Sequence, residues 1–191
     1  MKTQLHDHIV KLIPTFEKEV EKVLHYFKKQ SFPKNQIIIN EGKSVEDYYF
    51  VLKGCLHIYF TDNKGRNNTI HFAIENWWIT EYNAFLSDSV SNFNIATLEE
   101  TEVLTIKKEK FEQLLLDFPF MAIYFNKINM RAYGAALQKQ KVFATVSRKD
   151  FHHYFCKTYP ELVKRFPDDV FASYIGISKE ELDILNADFR S

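Results

Sequence analysis

Residues 168–185 read DDVFASYIGISKEELDIL, and this stretch has the pattern of two short helices joined by a tight turn. Gly176 predicts the end of the first helix, because glycine readily adopts the left-handed backbone conformation that closes a helix. Ser178 predicts the N-cap of the second helix, and Glu181, three residues later, completes a capping box. The stretch therefore predicts two consecutive helices with a turn at Gly176.

The residues around this turn suit two helices that cross each other. Asp168 and Asp169 predict a cap for the first helix, which would then start near Val170. Ala172 lies four residues before Gly176, where crossing helices need a small side chain. The apolar positions expected between the helices are Phe171, Ile175, Ile177, Leu182 and Leu185. The pattern predicts a helix-turn-helix, although an ordinary helical hairpin with a glycine turn has the same features.

The charge of the second helix argues against ordinary DNA binding. Residues 178–191 contain four acidic and two basic side chains, a net charge of −2. Because neutralisation of phosphates supplies most of the non-specific affinity for DNA, this charge predicts weak binding. The candidate DNA contacts are Ser178, Lys179, Glu181 and Asp183. The nearby basic residues lie upstream, and they are Lys157, Lys164 and Arg165.

The middle of the chain has the pattern of an antiparallel β-structure. Short runs rich in Ile, Val, Tyr, Phe and Thr are separated by turn residues, and no ten-residue helical pattern interrupts the first four runs. The predicted strands are residues 36–39, 48–52, 56–61, 69–73, 93–97 and 103–106. Many short strands at close spacing predict a jelly roll or barrel. Residues 4–30 before it have helical spacing, with a break at Pro14 and Thr15 as the expected N-cap of the longer piece.

Helical spacing returns after Lys108, and apolar residues then recur at alternating intervals of three and four. This heptad seam consists of Phe118, Met121, Phe125, Ile128, Ala132 and Ala135. A seam of this length is typical of helix pairing, so it predicts a homodimer through a helix at about residues 110–144. The alternative is that the stripe packs on the sheet of its own chain.

The composition excludes several classes of function. Basic and acidic residues balance at 25 each, and the two cysteines, Cys55 and Cys156, form no disulfide framework, which fits a reducing cytoplasm. The apolar runs are too short to span a membrane. No phosphate-binding loop is present, and neither the histidines, with His57 and His71 as the best pair, nor Cys156 beside His152 has the pattern of a metal site or a catalytic thiol. We therefore expect no enzyme, no catalytic residues and no metal.

Residues 41–54, EGKSVEDYYFVLKG, resemble the β-roll of Crp/Fnr transcription regulators. Residues 76–85, with paired tryptophans, and residues 159–178 are similar to the short-chain branch of this family common in Bacteroidetes. The resemblance implies an α+β fold with N-terminal helices, an antiparallel β-roll of jelly-roll type, a long dimerisation helix and a C-terminal helix-turn-helix. It also implies a sensor domain at residues 1–144 and a helix-turn-helix domain at residues 145–191.

The resemblance also identifies an effector cassette with two departures from the nucleotide-binding pattern. The matching residues are Trp78, Thr80, Glu81, Ser91 and Asn92. Thr80 replaces a glycine and Ser91 replaces the arginine that would neutralise a buried phosphate, while Glu81 is retained for a ribose hydroxyl. Binding of cyclic AMP is therefore doubtful, and two cysteines are too few for an iron–sulfur cluster. The effector is an unknown small molecule, or the pocket is empty.

Two functional hypotheses follow from these patterns. The first is a dimeric cytoplasmic transcription regulator of Crp/Fnr type with a degenerate helix-turn-helix. The alternative is a small-molecule sensor or protein-interaction module that keeps the fold without reading DNA. The acidic second helix favours the alternative, and the helix-turn-helix pattern favours the first.

Overall fold

The computed structural model describes residues 4–190 and shows a mixed architecture of helices and antiparallel sheets. The predicted α+β fold is confirmed. Two short helices and two 3₁₀ turns precede the sheets. The N-terminal elements are α1 (Gln4–Leu12), a 3₁₀ turn (Pro14–Phe16), α2 (Glu17–Val23) and a second 3₁₀ turn (Leu24–Tyr26).

The eight strands form two four-stranded sheets that are antiparallel throughout. The first sheet has the order β1-β8-β3-β6 and the second has the order β2-β7-β4-β5. The strands are β1 (Lys28–Phe32), β2 (Ile37–Ile39), β3 (Asp47–Lys53), β4 (Leu56–Thr61), β5 (Asn67–Ala73), β6 (Trp78–Ile79), β7 (Asn94–Thr97) and β8 (Thr101–Lys107). The six predicted strands all form, and consecutive strands alternate between the two sheets as in a jelly roll, except that β4 and β5 are neighbours in the second sheet.

Seven helices complete the described chain. A single short helix, α3, interrupts the strands after β6, and six helices follow β8. They are α3 (Tyr82–Ser87), α4 (Lys108–Asp117), α5 (Phe120–Thr145), α6 (Arg148–Thr158), α7 (Pro160–Val163), α8 (Asp168–Ile175) and α9 (Lys179–Arg190). Within residues 4–190, no helix combines the length and apolarity needed to cross a bilayer.

Two sequence-based expectations about the N-terminal region are wrong. Lys28–Phe32 is an edge strand paired with β8, so the N-terminal helical region ends before it. Most of its side chains are exposed, and therefore the strand has no alternating apolar pattern to reveal it. Thr15 lies inside a 3₁₀ turn and does not cap α2, whose N-cap Phe16 has no side-chain hydrogen bond.

The predicted helix at about residues 110–144 is two helices. It is divided at Phe118 and Pro119, because proline lacks the backbone N–H that a continuous helix would need there. The expected cap at Asp168 and Asp169 is also displaced. Helix α8 begins at Asp168 after Pro167, so both acids lie in its first turn, and no side chain caps it.

The buried apolar residues form two clusters. The first lies under the first sheet and joins α1, α2, α4 and the beginning of α5. Aromatic rings fill its centre, and those of Tyr48, Phe50, Trp78, Phe85, Phe111 and Phe125 are all buried. The second cluster joins α6, α8 and α9 to the roll through Cys55, Phe72 and Leu98. The helices after α5 therefore pack against the second sheet of their own chain.

Candidate effector pocket and helix-turn-helix

The retained acid of the effector cassette caps a helix. Glu81 is buried at the N-terminus of α3, where its Oε1 accepts from the Asn83 N–H at 3.2 Å and its Oε2 accepts from the Ala84 N–H at 2.9 Å. An N-cap carboxylate satisfies backbone donors that have no partner in the helix. Both oxygens of the predicted ribose contact are thus already engaged by the protein.

The other cassette residues are likewise engaged within the chain. The buried Ser91 hydroxyl donates to the Phe93 carbonyl at 2.7 Å, and the Thr80 hydroxyl donates to the Asp47 carbonyl at 2.9 Å. Asn92 is exposed. The cassette residues predicted from the sequence therefore supply no cation for an anionic ligand.

One tyrosine hydroxyl joins the cassette to helix α5 and to the N-terminal helix. Tyr124 is fully buried; its hydroxyl accepts from Trp78 Nε1 at 2.8 Å and lies 2.7 Å from His8 Nδ1. Burial, with smaller contributions from Lys11 and Arg131, lowers the pKa of His8, so the imidazole is held neutral. Sequence reasoning missed both Tyr124 and His8.

A second contact ties the cassette helix to α5. The Tyr82 hydroxyl donates to Asn129 Oδ1 at 2.6 Å and lies 3.3 Å from the Tyr48 hydroxyl. Two surface hollows of about 430 and 210 Å³ occur elsewhere, at residues 31–34 with Glu100 and beside the start of α6, and neither is lined by a cassette residue. The protein's own aromatic side chains therefore occupy the junction of cassette and α5.

Helix α5 has two apolar faces. Met121 and Phe125 of the predicted seam are buried in the core of their own chain, and Phe118 and Ile128 pack against that core. For Met121 and Phe125 the structure agrees with the alternative of packing on the sheet, and it is at odds with their assignment to a dimer interface. Ala132 and Ala135 are exposed. The other face exposes large apolar side chains, namely Ile123, Met130, Tyr133 and Leu137.

The two C-terminal helices have the local geometry predicted from the sequence. Gly176 closes α8 with φ +77°, and its N–H donates to the Ala172 carbonyl at 3.0 Å. Ser178 and Glu181 form the capping box, in which the Ser178 N–H donates to Glu181 Oε2 at 2.8 Å and the Glu181 N–H donates to Ser178 Oγ at 3.2 Å. The predicted turn, cap and crossing residue Ala172, which is buried, are confirmed.

The exposed face of α9 is acidic and apolar. Leu182 is fully buried against α8, and this orients Lys179, Glu180 and Asp183 toward solvent. Ile184 is 63% exposed on the same helix. Of the predicted DNA contacts, Ser178 and Glu181 are occupied by the capping box, while Lys179 and Asp183 are free to meet a partner.

The upstream basic residues are mostly paired with acids. Arg165 donates from Nη1 and Nη2 to the two carboxylate oxygens of Glu75 at 3.0 and 2.9 Å, and from Nε to Glu99 Oε1 at 3.1 Å. Lys164 pairs with Glu161 at 2.6 Å. Arg165 therefore fastens the C-terminal helices to the roll and is not directed at an external ligand.

Further contacts complete this docking. Phe72 of β5 stacks on Phe166 with ring centroids 4.0 Å apart, and the Thr69 N–H donates to Ser173 Oγ at 3.1 Å. Lys139 of α5 donates to the Ile70 carbonyl at 2.7 Å and lies 3.8 Å from the centre of the Tyr174 ring. The register of β4 and β5 shifts between Thr69 and His71, so Ile70 is a bulge residue whose carbonyl faces a helix.

The histidines and cysteines occupy structural positions. His57 Nδ1 lies 3.1 Å from Thr69 Oγ1, and burial lowers the pKa of His57 to about 4. Both cysteines are buried with free thiols. Across residues 4–190, no group of three or more His, Cys, Asp or Glu side chains is placed to hold a metal ion.

Residues 29–118 match the family model of the cyclic nucleotide-binding domain. No curated protein sequence matches the chain. The solved structures that share its architecture include Crp/Fnr regulators, and the predicted Crp/Fnr-type fold is confirmed.

Three such structures cover most of the chain. FixK2 from Bradyrhizobium japonicum has a TM-score of 0.74 at 14% identity and covers 86% of this chain and 84% of its own. A Crp/Fnr-family transcriptional regulator from Eubacterium rectale has a TM-score of 0.72 at 15% identity, covering 89% and 82%. The c-di-GMP-responsive regulator CLP of Xanthomonas campestris has a TM-score of 0.71 at 16% identity, covering 91% of both chains. At these identities the likeness shows the fold alone.

Proposed function

We propose that the protein is a Crp/Fnr-like transcription regulator whose helix-turn-helix is folded but degenerate in DNA readout. The observation that carries this proposal is the contrast between the two parts of α9. Its start has the capping box and the glycine turn, whereas its exposed face presents Glu180 and Asp183. Those carboxylates would meet the phosphates of a DNA groove as like charges.

Few free cations remain to offset these acids. Lys149 pairs with Asp188 at 2.9 Å, and Lys164 and Arg165 are paired as described. The Arg148 guanidinium lies 4.5 Å from the centre of the Phe143 ring beside the start of α9, so it is a candidate phosphate contact together with Lys179. Two such contacts predict weak DNA binding whose affinity falls only gradually with salt.

The test is a salt titration of the wild type and of the double variant Asp183→Ser, Ile184→Arg on one palindromic duplex. A new arginine at a base edge is worth about 1–3 kcal/mol of discrimination, so the variant gains affinity for its site and salt dependence. The charge-matched control is Glu112→Ser, Leu116→Arg, which makes the same change on the exposed face of α4. Nanomolar binding by the wild type at about physiological salt contradicts the proposal.

We propose that the dimer forms through the exposed face of α5. A stripe of Ile123, Met130, Tyr133 and Leu137 exposes about half or more of each side chain, which favours burial against a second copy. Met130→Asp with Leu137→Asp should give monomers in light scattering. The control Leu116→Asp removes an exposed apolar side chain from α4 and should leave the dimer intact.

The effector proposed for the roll is a small molecule without a phosphate. The junction of cassette and α5 holds buried aromatic rings, and the cassette has no arginine. Such a ligand acts by displacing Tyr82 from Asn129 and so changing the packing of α5, which moves the C-terminal helices. Calorimetry should show no binding of cyclic AMP at low micromolar concentration.

A second candidate function is a sensor or protein-interaction module without DNA output. The acidic face of α9 and the exposed Ile184 favour it. A gel shift against the DNA upstream of the protein's own gene, at stated salt, separates the two functions. No enzymatic role is proposed, and the two buried free thiols support a cytoplasmic location.

A further inference from the structure

Helix α6 carries two adjacent histidines, and the first of them is buried where three helices meet. His152 is 0% exposed, and its Nε2 lies 2.9 Å from Asn186 Oδ1 on α9. The rings of Phe171 on α8 and Phe189 on α9 each lie with their centroids 6.0 Å from the imidazole. His152 is therefore a buried polar link between α6 and α9 among aromatic rings, in addition to the exposed Lys149–Asp188 ion pair.

This histidine pair is incompletely satisfied. Within residues 4–190, neither Nδ1 of His152 nor Nε2 of His153 has a hydrogen-bond partner, although both atoms are buried. Because Asn186 Oδ1 is an acceptor, a neutral His152 donates from Nε2 and leaves Nδ1 as a bare lone pair. A buried polar atom without a partner carries a free-energy cost, so a structure that keeps one needs an explanation.

The surroundings of His152 disfavour a positive charge. In the described part of the chain, no carboxylate lies within ion-pair distance of its ring, and α8 presents the Phe171 ring to it. Of the titratable groups on α6 and α9, Cys156 Sγ lies 3.5 Å from His152 Nε2 and the His153 ring centroid lies 5.7 Å from that of His152, while Lys149 of α6 pairs with Asp188 of α9. Asp188 pairs with Lys149 and also interacts electrostatically with His153.

We propose that His152 is a proton-sensitive tie, which holds α9 against α6 when its ring is neutral and releases α9 when the ring is protonated. The cationic ring would carry an N–H at Nδ1 that meets no acceptor, inside a setting of aromatic side chains. Burial lowers the pKa of His152, the hydrogen bond with Asn186 opposes this shift, and His153 adds to it. This inference concerns only the packing of α9 and holds whatever α9 contacts.

The direction of the pH dependence follows from linkage. A released His152 has an ordinary pKa of 6.5, so above pH 6.5 both states are neutral and pH has no effect. Below pH 6.5 the released state binds a proton that the packed state binds less well. At pH 5.5 the released population is therefore expected to rise up to about tenfold relative to pH 7.5.

The experiment is hydrogen exchange of the α9 amides, residues 179–189, in the full chain at pH 7.5 and 5.5, corrected for intrinsic exchange rates. The wild type should open up to about tenfold more at pH 5.5. His152→Gln should open equally at both pH values, because its side chain has no charge to gain. The matched control His153→Gln, one residue away on the same helix, should keep the direction of the wild-type response, slightly reduced because the contribution of His153 to the lowered pKa of His152 is lost.

A second measurement keeps the inference testable if His152→Gln does not fold. The ring protons of His152 in the wild type should titrate with a midpoint below 6.5, and the opening of α9 should rise between pH 6.5 and that midpoint. The inference is overturned by wild-type opening that is the same at both pH values, by a midpoint at or above 6.5, or by a response that follows His153 instead.

Discussion

Replacing Arg165 by Met should uncouple the C-terminal helices from the roll. The Arg165 guanidinium joins Glu75 in the turn after β5 to Glu99 in the turn before β8, which are 90 and 66 residues away in sequence. Removing it leaves two carboxylates, each about one-third exposed, facing each other without a cation. Methionine keeps most of the aliphatic stem, so the change isolates the lost charge.

The expected loss of stability lies between the loss for an exposed ion pair and the loss for a buried one. Exposed ion pairs contribute 0–1 kcal/mol, and removing one partner of a fully buried pair costs about 3–5 kcal/mol. Arg165 is 26% exposed and bidentate to Glu75, so we expect a loss of roughly 2 kcal/mol in the free energy of unfolding at pH 7. Although burial opposes the shift, the hydrogen bonds from Arg165 and the Gly54 N–H hold the pKa of Glu75 below its ordinary value.

The lowered pKa of Glu75 determines how the loss of stability depends on pH. A depressed carboxylate pKa contributes stability that is present above its unfolded value of 4.5 and is lost as the pH falls through the folded value. The difference between wild type and Arg165→Met should therefore shrink below about pH 4.5. Urea denaturation followed by circular dichroism measures it.

The neighbouring residue supplies the control. Lys164→Met breaks an ion pair with Glu161 whose side chains are 69% and 83% exposed, so it should leave stability nearly unchanged. Equal losses of stability for Arg165→Met and Lys164→Met would refute the argument. The ion pairs of Arg165 with Glu75 and Glu99 would then stabilise the fold no more than an exposed ion pair does. A loss that stays constant from pH 7 to pH 4 would refute the role of Glu75.

Four further substitutions test local geometry by thermal or urea unfolding. Gly54→Ala should lower the free energy of unfolding by more than about 3 kcal/mol or prevent folding, because φ is +104° and a Cβ would lie 2.7 Å from the backbone Cα of Thr101. Gly65→Ala, at φ +76° with open space around the added Cβ, should lower it by about 1 kcal/mol. Ser178→Ala should cost about 1 kcal/mol through the lost capping box. Tyr124→Phe should cost roughly 1–3 kcal/mol, since it leaves the buried Trp78 N–H unpaired.

The parts of the fold that were predicted correctly are those encoded over a few residues. Gly176, Ser178 and Glu181 specify a turn and a cap through contacts within one helical turn, and the structure has each contact. The buried strands alternate in composition and were located within a few residues. The edge strand Lys28–Phe32 was not predicted, because four of its five side chains are exposed and its sequence has no alternating apolar pattern.

Helix α5 shows why periodicity alone could not assign the dimer face. Its sequence carries one apolar stripe through Met121 and Phe125 and another through Met130 and Leu137. A heptad pattern identifies a stripe but not the surface that covers it. Only the position of the roll decides that the first stripe is internal and leaves the second exposed.

The contacts that fix the C-terminal helices were beyond sequence reasoning for a different reason. In the sequence, Arg165 is one of the basic residues upstream of the helix-turn-helix, and nothing near it indicates its partners. Its partners Glu75 and Glu99 come from distant turns, and single-sequence patterns do not reveal such pairs. The same is true of Tyr124, whose hydroxyl meets Trp78 and His8 from distant parts of the chain.

The effector cassette and the exposed face of α9 are both poorly suited to bind a phosphate. The cassette has Ser91 in place of an arginine and engages its own acid in a helix cap, while α9 presents carboxylates where a DNA groove has phosphates. Side-chain contacts connect the cassette with the C-terminal helices. Tyr82 and Trp78 join the cassette to α5, and Lys139 joins α5 to β5 and α8. A chain that keeps these connections but offers few phosphate contacts at either end favours an uncharged effector at the roll and weak binding to DNA.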